Sequence, residues 1–397
     1  MTAETVLIAA LSGRGLAAAA RRAGFDPLVA DAFGDCDTHD SATAVRCLSD
    51  ATRTGFRAKP LIAALETLAG EAPRAPVGLV LGSGFEDRPK LIASLARRFP
   101  LLGNDGATTA QTKSPAAFFR LLDTSGIAHP ETQLTPPADP AGWICKRVGG
   151  SGGTHIVSAA QGVASPRHYF QRLMPGEPAS VLAIAAPGNI RIAGISCQWT
   201  VGSGPRPFRY GGAAGPARLA SLIEVQMLSA VEAVCTALGL IGLVSFDFLI
   251  SGGAVYLLEA NPRPSATLDV FDDAQGSLFR AHLAACRGEK FDLPAPKAAR
   301  AAAILYADAG PLTIGAPAWP AWSADRPRPG IRIPRHRPIA TVFGSGETAD
   351  EAAQSCRRRL DELAQMLYGR APNRERNNNA EVHRPRPQRF GPRSEAR

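Results

Sequence analysis

Residues 242–264 read GLVSFDFLISGGAVYLLEANPRP, and they contain the pattern that fixes the fold. Two apolar runs, at about residues 243–250 and 255–260, are separated by Ser251-Gly-Gly253. Apolar runs of this length joined by glycines predict a β-hairpin. The acidic and amide side chains inside these runs need compensating partners when they leave water. The stretch therefore predicts a β-hairpin whose polar side chains have a functional role.

The polar residues of this hairpin are Asp247, Glu259 and Asn261. Side chains alternate along a strand, so Glu259 and Asn261 share one face. Asp247 joins that face only if the hairpin has a three-residue loop or a bulge, and residues 251–253 supply a loop of that length. Two carboxylates and an amide oxygen suit Mg²⁺ (or Mn²⁺), with Arg263 beside them to grip phosphate or carboxylate. The alternative is an ordinary hairpin whose polar residues face solvent.

The start of the chain has a β-α-β pattern, with strands at residues 6–10 and 27–30. Gly13-x-Gly15-x-x-Ala18 and Asp31 match the dinucleotide fingerprint only weakly. We therefore expect a structural Rossmann-like domain, and a dehydrogenase that binds NAD(P)H at Gly13–Gly15 stays an alternative.

The composition of the chain limits which partners and which cellular compartment we expect. The chain has 397 residues, 45% of them apolar, and a formal charge of +9, to which residues 370–397 contribute eight Arg and three Glu. We expect this tail to be disordered and do not expect a specific nucleic-acid partner; a nucleic-acid binder would depend on the tail and on low salt. Seven scattered Cys, no recognised apolar membrane span and no leader pattern predict a cytoplasmic protein with reduced thiols.

Taken together, the motifs resemble the ATP-grasp family. The metal-binding motif of that family, an acidic residue followed twelve positions later by Glu-x-Asn-x-Arg, is matched by the four residues Asp247, Glu259, Asn261 and Arg263. The resemblance covers about residues 102–287 and implies ATP and Mg²⁺ as cofactors. Only six of the 44 basic residues are Lys, and two of the six stand where the family has its nucleotide-contacting lysines.

The same resemblance implies which residues bind the nucleotide. Lys113 and Lys146 resemble the two lysines, and residues 149–153 resemble the phosphate-covering loop, whose N–H groups can surround phosphates. Leu173 would present its backbone to adenine, and Glu177 would hold the ribose. The nucleotide-contacting residues are thus Lys113, Lys146, Gly149, Gly150, Ser151, Gly152, Gly153, Gln171, Leu173 and Glu177.

ATP-grasp enzymes usually phosphorylate a carboxylate and let an amine attack the acyl phosphate. Lys146 and Arg263 would act in catalysis, while His155, Arg209 and Tyr210 are substrate-contact candidates that could equally be surface-loop residues. The best match within the family is to predicted carboligases related to biotin carboxylase, including methanofuran-type (tyramine–glutamate ligase-like) cofactor-biosynthesis enzymes. The resemblance implies a ligase for a small carboxylate and an amine, with no membrane partner, and it leaves a homodimer open.

Two alternatives remain within the nucleotide-binding class. One is a protein that binds nucleotide without catalysis. The other is a biotin-carboxylase-like carboxylase, although that family places a Glu where this chain has Thr267. The expected fold class is α/β, of the α+β ATP-grasp type. Its parts are a Rossmann-like domain at 1–103, a two-subdomain ATP-grasp core at 104–290, a small C-terminal α/β domain at 300–369 and the basic tail at 370–397.

Overall fold

The computed structural model describes residues 3–202, 206–296 and 298–369, so the predicted disordered tail lies outside the described residues. The N-terminal part is a parallel sheet of order β3-β2-β1-β4 flanked by helices. Its central strand is entirely apolar apart from Thr5, because helices cover both faces of a parallel sheet. The elements are β1 (Thr5–Ala10), α1 (Arg14–Arg22), β2 (Asp26–Asp31), α2 (Cys36–Ser41), β3 (Ala44–Cys47), α3 (Ala51–Thr54), α4 (Ala58–Glu71), β4 (Leu79–Leu81) and α5 (Pro89–Ala96).

A second, small antiparallel sheet of order β5-β8-β6-β7 follows two helices. The hydroxyl of Ser114 accepts a hydrogen bond from the Ala117 N–H, and Pro115 occupies the first turn, so the second helix begins where the sequence predicts. The elements are α6 (Gly106–Lys113), α7 (Pro115–Thr124), β5 (Thr132–Gln133), β6 (Trp143–Arg147), β7 (Val157–Ser158), a 3-10 turn (Ala159–Gln161) and β8 (His168–Arg172).

The largest sheet has eight strands in the order β13-β12-β9-β10-β11-β14-β18-β16. The last three strands of this order come from the C-terminal part, which therefore extends the central sheet, while β15 and β17 of the same part form a separate two-stranded sheet. The domain boundaries themselves stay a prediction. The remaining elements are β9 (Glu177–Ala186), β10 (Asn189–Thr200), β11 (Tyr210–Gly215), α8 (Ser221–Leu238), β12 (Gly242–Ser251), β13 (Ala254–Asn261), α9 (Leu268–Phe271), α10 (Ser277–Cys286), β14 (Ala299–Tyr306), β15 (Leu312–Thr313), β16 (Ser323–Ala324), β17 (Arg332–Ile333), β18 (Pro338–Gly346) and α11 (Ala349–Tyr368).

Among the described residues, one helix, α8, is long and apolar enough by composition to cross a bilayer, although the sequence predicted no membrane span. Its apolar face packs on the central sheet, with Met227, Val231 and Val234 fully buried. A core helix passes the same test of length and hydropathy, so this finding is weak evidence for a membrane span.

The predicted hairpin is present as β12 and β13, but its geometry differs from the predicted one. Gly252 and Gly253 form a two-residue loop, because Ser251 pairs with Ala254. The register then shifts between Asp247 and Phe248, which leaves one extra residue in β13. The expected three-residue loop is therefore wrong, and a bulge brings the acidic residues onto one face.

Candidate active site

The oxygen-bearing side chains of the hairpin form one cluster. Asp247 pairs directly with Glu259 across the two strands. The Asn261 side-chain amide donates to Asp247 Oδ2 at 3.1 Å and to Glu259 Oε1 at 3.2 Å. Gln198 donates to Asp247 Oδ1 at 3.2 Å from the adjacent part of the sheet. The two carboxylates and the Asn261 amide are thus adjacent, as predicted.

Lys113, the last residue of α6, reaches this cluster from another element. Its Nζ donates to Asn261 Oδ1 at 2.7 Å and lies 3.7 Å from Glu259 Oε2. The side chain is buried, so its charge acts on its neighbours with little screening by water. Lys113 therefore belongs to the site, although 148 positions separate it from Asn261.

Lys146 lies on β6 of the small sheet and is also buried. Its Nζ donates to Gln171 Oε1 at 2.7 Å, and the Gln171 amide donates to Thr132 at 3.1 Å. Burial lowers the pKa of Lys146, and the carboxylates of Glu259 and Asp247 oppose this effect. Gln171 thus contacts a lysine of the candidate site through its amide oxygen.

The two carboxylates differ in their electrostatic environment. Burial and the neighbouring Glu259 raise the pKa of Asp247. Burial alone would also raise the pKa of Glu259, but the ammonium groups of Lys113 and Lys146 outweigh it and hold this pKa well below its usual range. Two carboxylates this close form an incompletely neutralised pair, which is the environment a divalent cation prefers.

The donor set fits Mg²⁺. Asp247, Glu259 and Asn261 offer hard oxygen ligands, and the Asn261 amide oxygen would turn toward the ion from Lys113. Among the described residues, no group of three or more His, Cys, Asp or Glu side chains could hold a metal ion.

Arg263 follows the hairpin, and its main partner was not predicted. Its Nε donates to Glu86 Oε1 at 2.6 Å, while Glu86 Oε2 accepts from the N–H groups of Gly84 and Phe85. Burial raises the pKa of Glu86, yet Arg263 and Lys113 lower it more, so the carboxylate stays charged. The N-terminal domain thus orients the signature arginine, a link that no local motif reveals.

The glycine loop, residues 149–153, packs against two neighbouring segments of the chain. A Cβ on Gly149 would lie 2.7 Å from the Asp87 nitrogen, and one on Gly153 would lie 1.8 Å from the Phe208 carbonyl oxygen. Tyr210 N–H also donates to the Gly152 oxygen at 3.0 Å. These close approaches require glycine, and they hold the loop against both neighbours.

Arg209 is not free to contact substrate, which corrects the sequence expectation. Its side chain is fully buried, and its guanidinium bonds to both oxygens of Asp308 at 3.0 and 2.6 Å. It also stacks on the Tyr306 ring at 3.7 Å. Arg209 therefore fastens the C-terminal part to the start of β11.

Tyr210 and His155 are both influenced by carboxylates of the hairpin. Burial raises the pKa of Tyr210, and the carboxylates of Asp247 and Asp269 raise it further. His155 follows the glycine loop and feels the charges of Glu259 and Lys146. Both remain substrate-contact candidates.

Leu173 and Glu177 lie at the predicted connection between the two sheets. Leu173 follows β8 and is 47% exposed, and its N–H donates to the Gly142 oxygen at 2.9 Å. Glu177 begins β9 with an exposed carboxylate. Their contacts with a nucleotide stay a prediction.

The N-terminal β-α-β unit does not present its acidic residue to a ligand. Asp31 is fully buried and bonds to the Gly34 N–H at 2.8 Å. Arg14, at the start of α1, pairs with Asp269 and Asp325 at 2.6 and 3.0 Å. Protein carboxylates thus occupy the end of this helix where a dinucleotide would bind, which favours a structural role.

Known proteins share these features. Residues 115–267 match the family model described as the ATP-grasp domain, and use of ATP with Mg²⁺ is characteristic of that family.

Three similar solved structures agree on the fold. The ADP complex of an N5-carboxyaminoimidazole ribonucleotide synthetase has 15% identity and a TM-score of 0.66, over 92% of this chain and 98% of that one. Biotin carboxylase from Campylobacter jejuni has 14% identity and a TM-score of 0.66, over 88% and 89%. The L-amino acid ligase from Bacillus licheniformis has 14% identity and a TM-score of 0.65, over 91% and 98%.

Proposed function

We propose that this protein is an ATP-dependent carboxylate–amine ligase that forms an amide through an acyl phosphate. The observation that carries the proposal is the cluster of Asp247, Glu259 and Asn261 with Lys113 bonded to it at 2.7 Å. A partly buried site with two carboxylates, an amide and two lysines suits a magnesium nucleotide better than an uncharged ligand.

In this proposal, each charged group has one task. Asp247, Glu259 and Asn261 hold Mg²⁺, and Lys113 and Lys146 neutralise phosphate charge. When bound, ATP with Mg²⁺ supplies the phosphoryl group that activates the carboxylate. Because phosphoryl transfer needs mainly alignment and charge stabilisation, the chain requires no nucleophile of its own.

The glycine loop and the strand connection hold the nucleotide. The loop N–H groups of Gly149, Gly150, Ser151, Gly152 and Gly153 cover the phosphates and exclude water. Leu173 presents its backbone to the base, and Glu177 accepts from the ribose hydroxyls. Gln171 fixes Lys146 beside the phosphates through their 2.7 Å hydrogen bond.

Arg263 and Tyr210 serve the acceptor side of the site. Arg263 is held by Glu86, so its remaining N–H groups have a fixed direction in which to stabilise the developing oxyanion. Tyr210, at the start of β11, contacts the acyl or amine substrate. In this assignment, the two lysines assist phosphoryl transfer, and Arg263 and Tyr210 assist acyl transfer.

The finer proposal concerns the substrates. Resemblance to the carboligases favours glutamate as the acid and an aromatic or furan amine as the acceptor, in the synthesis of a methanofuran-type one-carbon carrier. A carboxylase is disfavoured because Thr267 is buried and bonded to Ser265, with no carboxylate at that position. The L-amino acid ligase among the similar structures supports amide formation as the reaction class.

The direct test combines nucleotide turnover with product identification. Purified protein is incubated with ATP, Mg²⁺, glutamate and a panel of aromatic amines, and ADP release and new amide masses are followed. We expect ADP and amide in equal amounts, and loss of both in Lys146→Ala and Glu259→Gln. Near-normal turnover in either variant would refute the site assignment, while nucleotide binding without any product would support a non-catalytic binder.

A further inference from the structure

His155 has a ring nitrogen without a partner. Its Nδ1 is buried and makes no hydrogen bond within the part of the chain that the structure describes. A buried nitrogen that gives up its bond to water costs free energy, so such an atom calls for an explanation. The residue also lies two positions after the glycine loop.

The glycine loop holds the imidazole in place. A Cβ on Gly150 would lie 2.4 Å from His155 Cγ and Cδ2 and 2.6 Å from Nδ1, so the ring packs flat against the Gly150 backbone. Any larger residue at position 150 would displace the ring. The loop therefore fixes the ring direction in addition to covering the phosphates.

Burial keeps this imidazole neutral. It lowers the pKa of His155 to about 4; Glu259 opposes the shift, and Lys146 and Arg147 add to it. A neutral imidazole with a free Nδ1 lone pair is a proton acceptor, not a phosphate donor.

The proposed ligation requires such an acceptor. When an amine attacks an acyl phosphate, the N–C bond forms, the bond between carbon and the phosphate oxygen breaks, and the nitrogen must lose a proton. The lysines near the hairpin are donors, and Asp247 and Glu259 are committed to Mg²⁺. His155 is the neighbouring group that is neutral and unpaired at its acceptor atom.

We propose that His155 Nδ1 accepts the proton of the attacking amine, which makes His155 the general base of acyl transfer. This inference rests on the proposed function. In the balanced step, the amine electron pair forms the amide bond, inorganic phosphate leaves with the electrons of the broken bond, and the amine proton moves to Nδ1. The proton then passes to solvent when the loop opens.

The experiment compares two nucleophiles on the same acyl phosphate, with glutamate as the acid. Hydroxylamine is uncharged near neutral pH and reacts without a protein base, whereas an alkyl or aryl amine needs one in the site. We expect His155→Ala to lose amide formation about 100-fold or more, the usual range for a general base, and to keep glutamyl hydroxamate formation within about threefold. His39→Ala, a change at a histidine of the N-terminal part, should match wild type in both reactions.

The other outcomes decide the assignment. Equal loss of amide and hydroxamate would mean that His155 serves phosphoryl transfer, and unchanged amide formation would mean that it has no chemical role; either overturns the inference. Nitrogen NMR of the unliganded protein at pH 7 gives a readout independent of activity. The inference requires a neutral ring with its proton on Nε2, and a protonated ring or the Nδ1–H tautomer would contradict it. If wild type forms no hydroxamate from any acid tested, the proposed function fails, and with it this role.

Discussion

Asp247 lies directly opposite Glu259 because β13 carries one extra residue between Leu257 and Glu259. Between the Gly252-Gly253 loop and this bulge, the strands pair in the register that the loop sets. On the far side of the bulge from the loop, the register is shifted by one residue. A one-residue shift moves side chains to the other face of a strand. The bulge therefore assembles the proposed metal site.

The two hairpin carboxylates should respond oppositely to neutralisation in the absence of metal. Charge is unfavourable on Asp247, whose pKa is raised, and favourable on Glu259, whose pKa is lowered. At pH 7, Asp247→Asn should leave the Tm unchanged or raise it, whereas Glu259→Gln should lower it by several degrees. Both variants should lose about 100-fold or more in ATP-dependent turnover. Parallel Tm shifts would contradict the electrostatic assignment.

The Gln171 side chain should matter for nucleotide affinity through Lys146. In Gln171→Leu the buried ammonium loses its acceptor, at a cost of about 1–3 kcal/mol, which corresponds to roughly a 5- to 150-fold higher KM for ATP. Gln171→Glu supplies a carboxylate in the same place and should stay within about fivefold of wild type. Steady-state kinetics with varied ATP separates the two, and an equal loss in both would show that the glutamine amide itself binds nucleotide.

The pair of Arg263 and Glu86 should couple the N-terminal domain to the active site. Both side chains are largely buried, so breaking the pair with Glu86→Gln should cost about 3 kcal/mol of unfolding free energy. The pKa of Glu86 lies below its ordinary 4.5 in the folded state. The ion pair therefore stabilises the folded protein fully above the ordinary pKa of Glu86. This stabilisation is lost as the pH falls through the pKa that Glu86 has in the folded protein.

A double-mutant cycle with Arg263→Met provides the control for this pair. The double variant should lose less stability than the two single variants together, because neither charge remains buried alone. Additive losses, or an acid-unfolding profile in Glu86→Gln that matches wild type, would show that the pair is not coupled.

The glycine loop offers a matched pair of substitutions. Gly153 and Gly188 have nearly the same φ, +72° and +69°, but a Cβ on Gly153 meets the Phe208 carbonyl while one on Gly188 has nothing within 4 Å. Both alanine variants should lose about 1 kcal/mol from backbone conformation. Only Gly153→Ala should also raise the KM for ATP, by about tenfold or more, since it displaces the loop. Equal kinetics would argue against the packed loop position.

Two buried acids in the N-terminal domain should make stability depend on pH. Burial raises the pKa of Asp31 to about 6 and that of Asp35 to about 7, and the nearby Asp325 adds to both. Each acid has a higher pKa in the folded protein than in the unfolded chain, so its contribution to folding stability is complete below the unfolded pKa of 3.8. That contribution is lost as the pH rises through 6 to 7. Thermal unfolding of wild type should therefore occur several degrees lower at pH 8 than at pH 5.

The matched variant for this test is Asp35→Asn, which removes the carboxylate whose Oδ2 has no partner among the described residues. The pH dependence between 5 and 8 should shrink in this variant, with the unfolding temperature at pH 8 rising. A wild-type protein that is equally stable at both pH values would contradict the prediction.

The sequence by itself determined the chemistry of the site. Alternation along strands and the spacing of Asp247, Glu259 and Asn261 identify a donor set for a hard cation, and they do so without knowledge of the partner elements. The scarce lysines Lys113 and Lys146 were identified through the family pattern; Lys113 contacts this cluster, and Lys146 is bonded to Gln171. Local rules also gave the N-terminal β-α-β unit and the capped start of α7, because these depend on neighbours a few positions apart.

Only the tertiary structure decided which side chains are free to act. Arg263 is held by Glu86 from 177 positions away, and Arg209 is removed from the site by Asp308, 99 positions away. The bulge in β13, the joining of β14 and β18 to the central sheet and the packing of His155 against Gly150 likewise depend on pairings across the chain. Such contacts follow from how sheets stack and register, which is a property of the whole packed molecule and not of any local pattern.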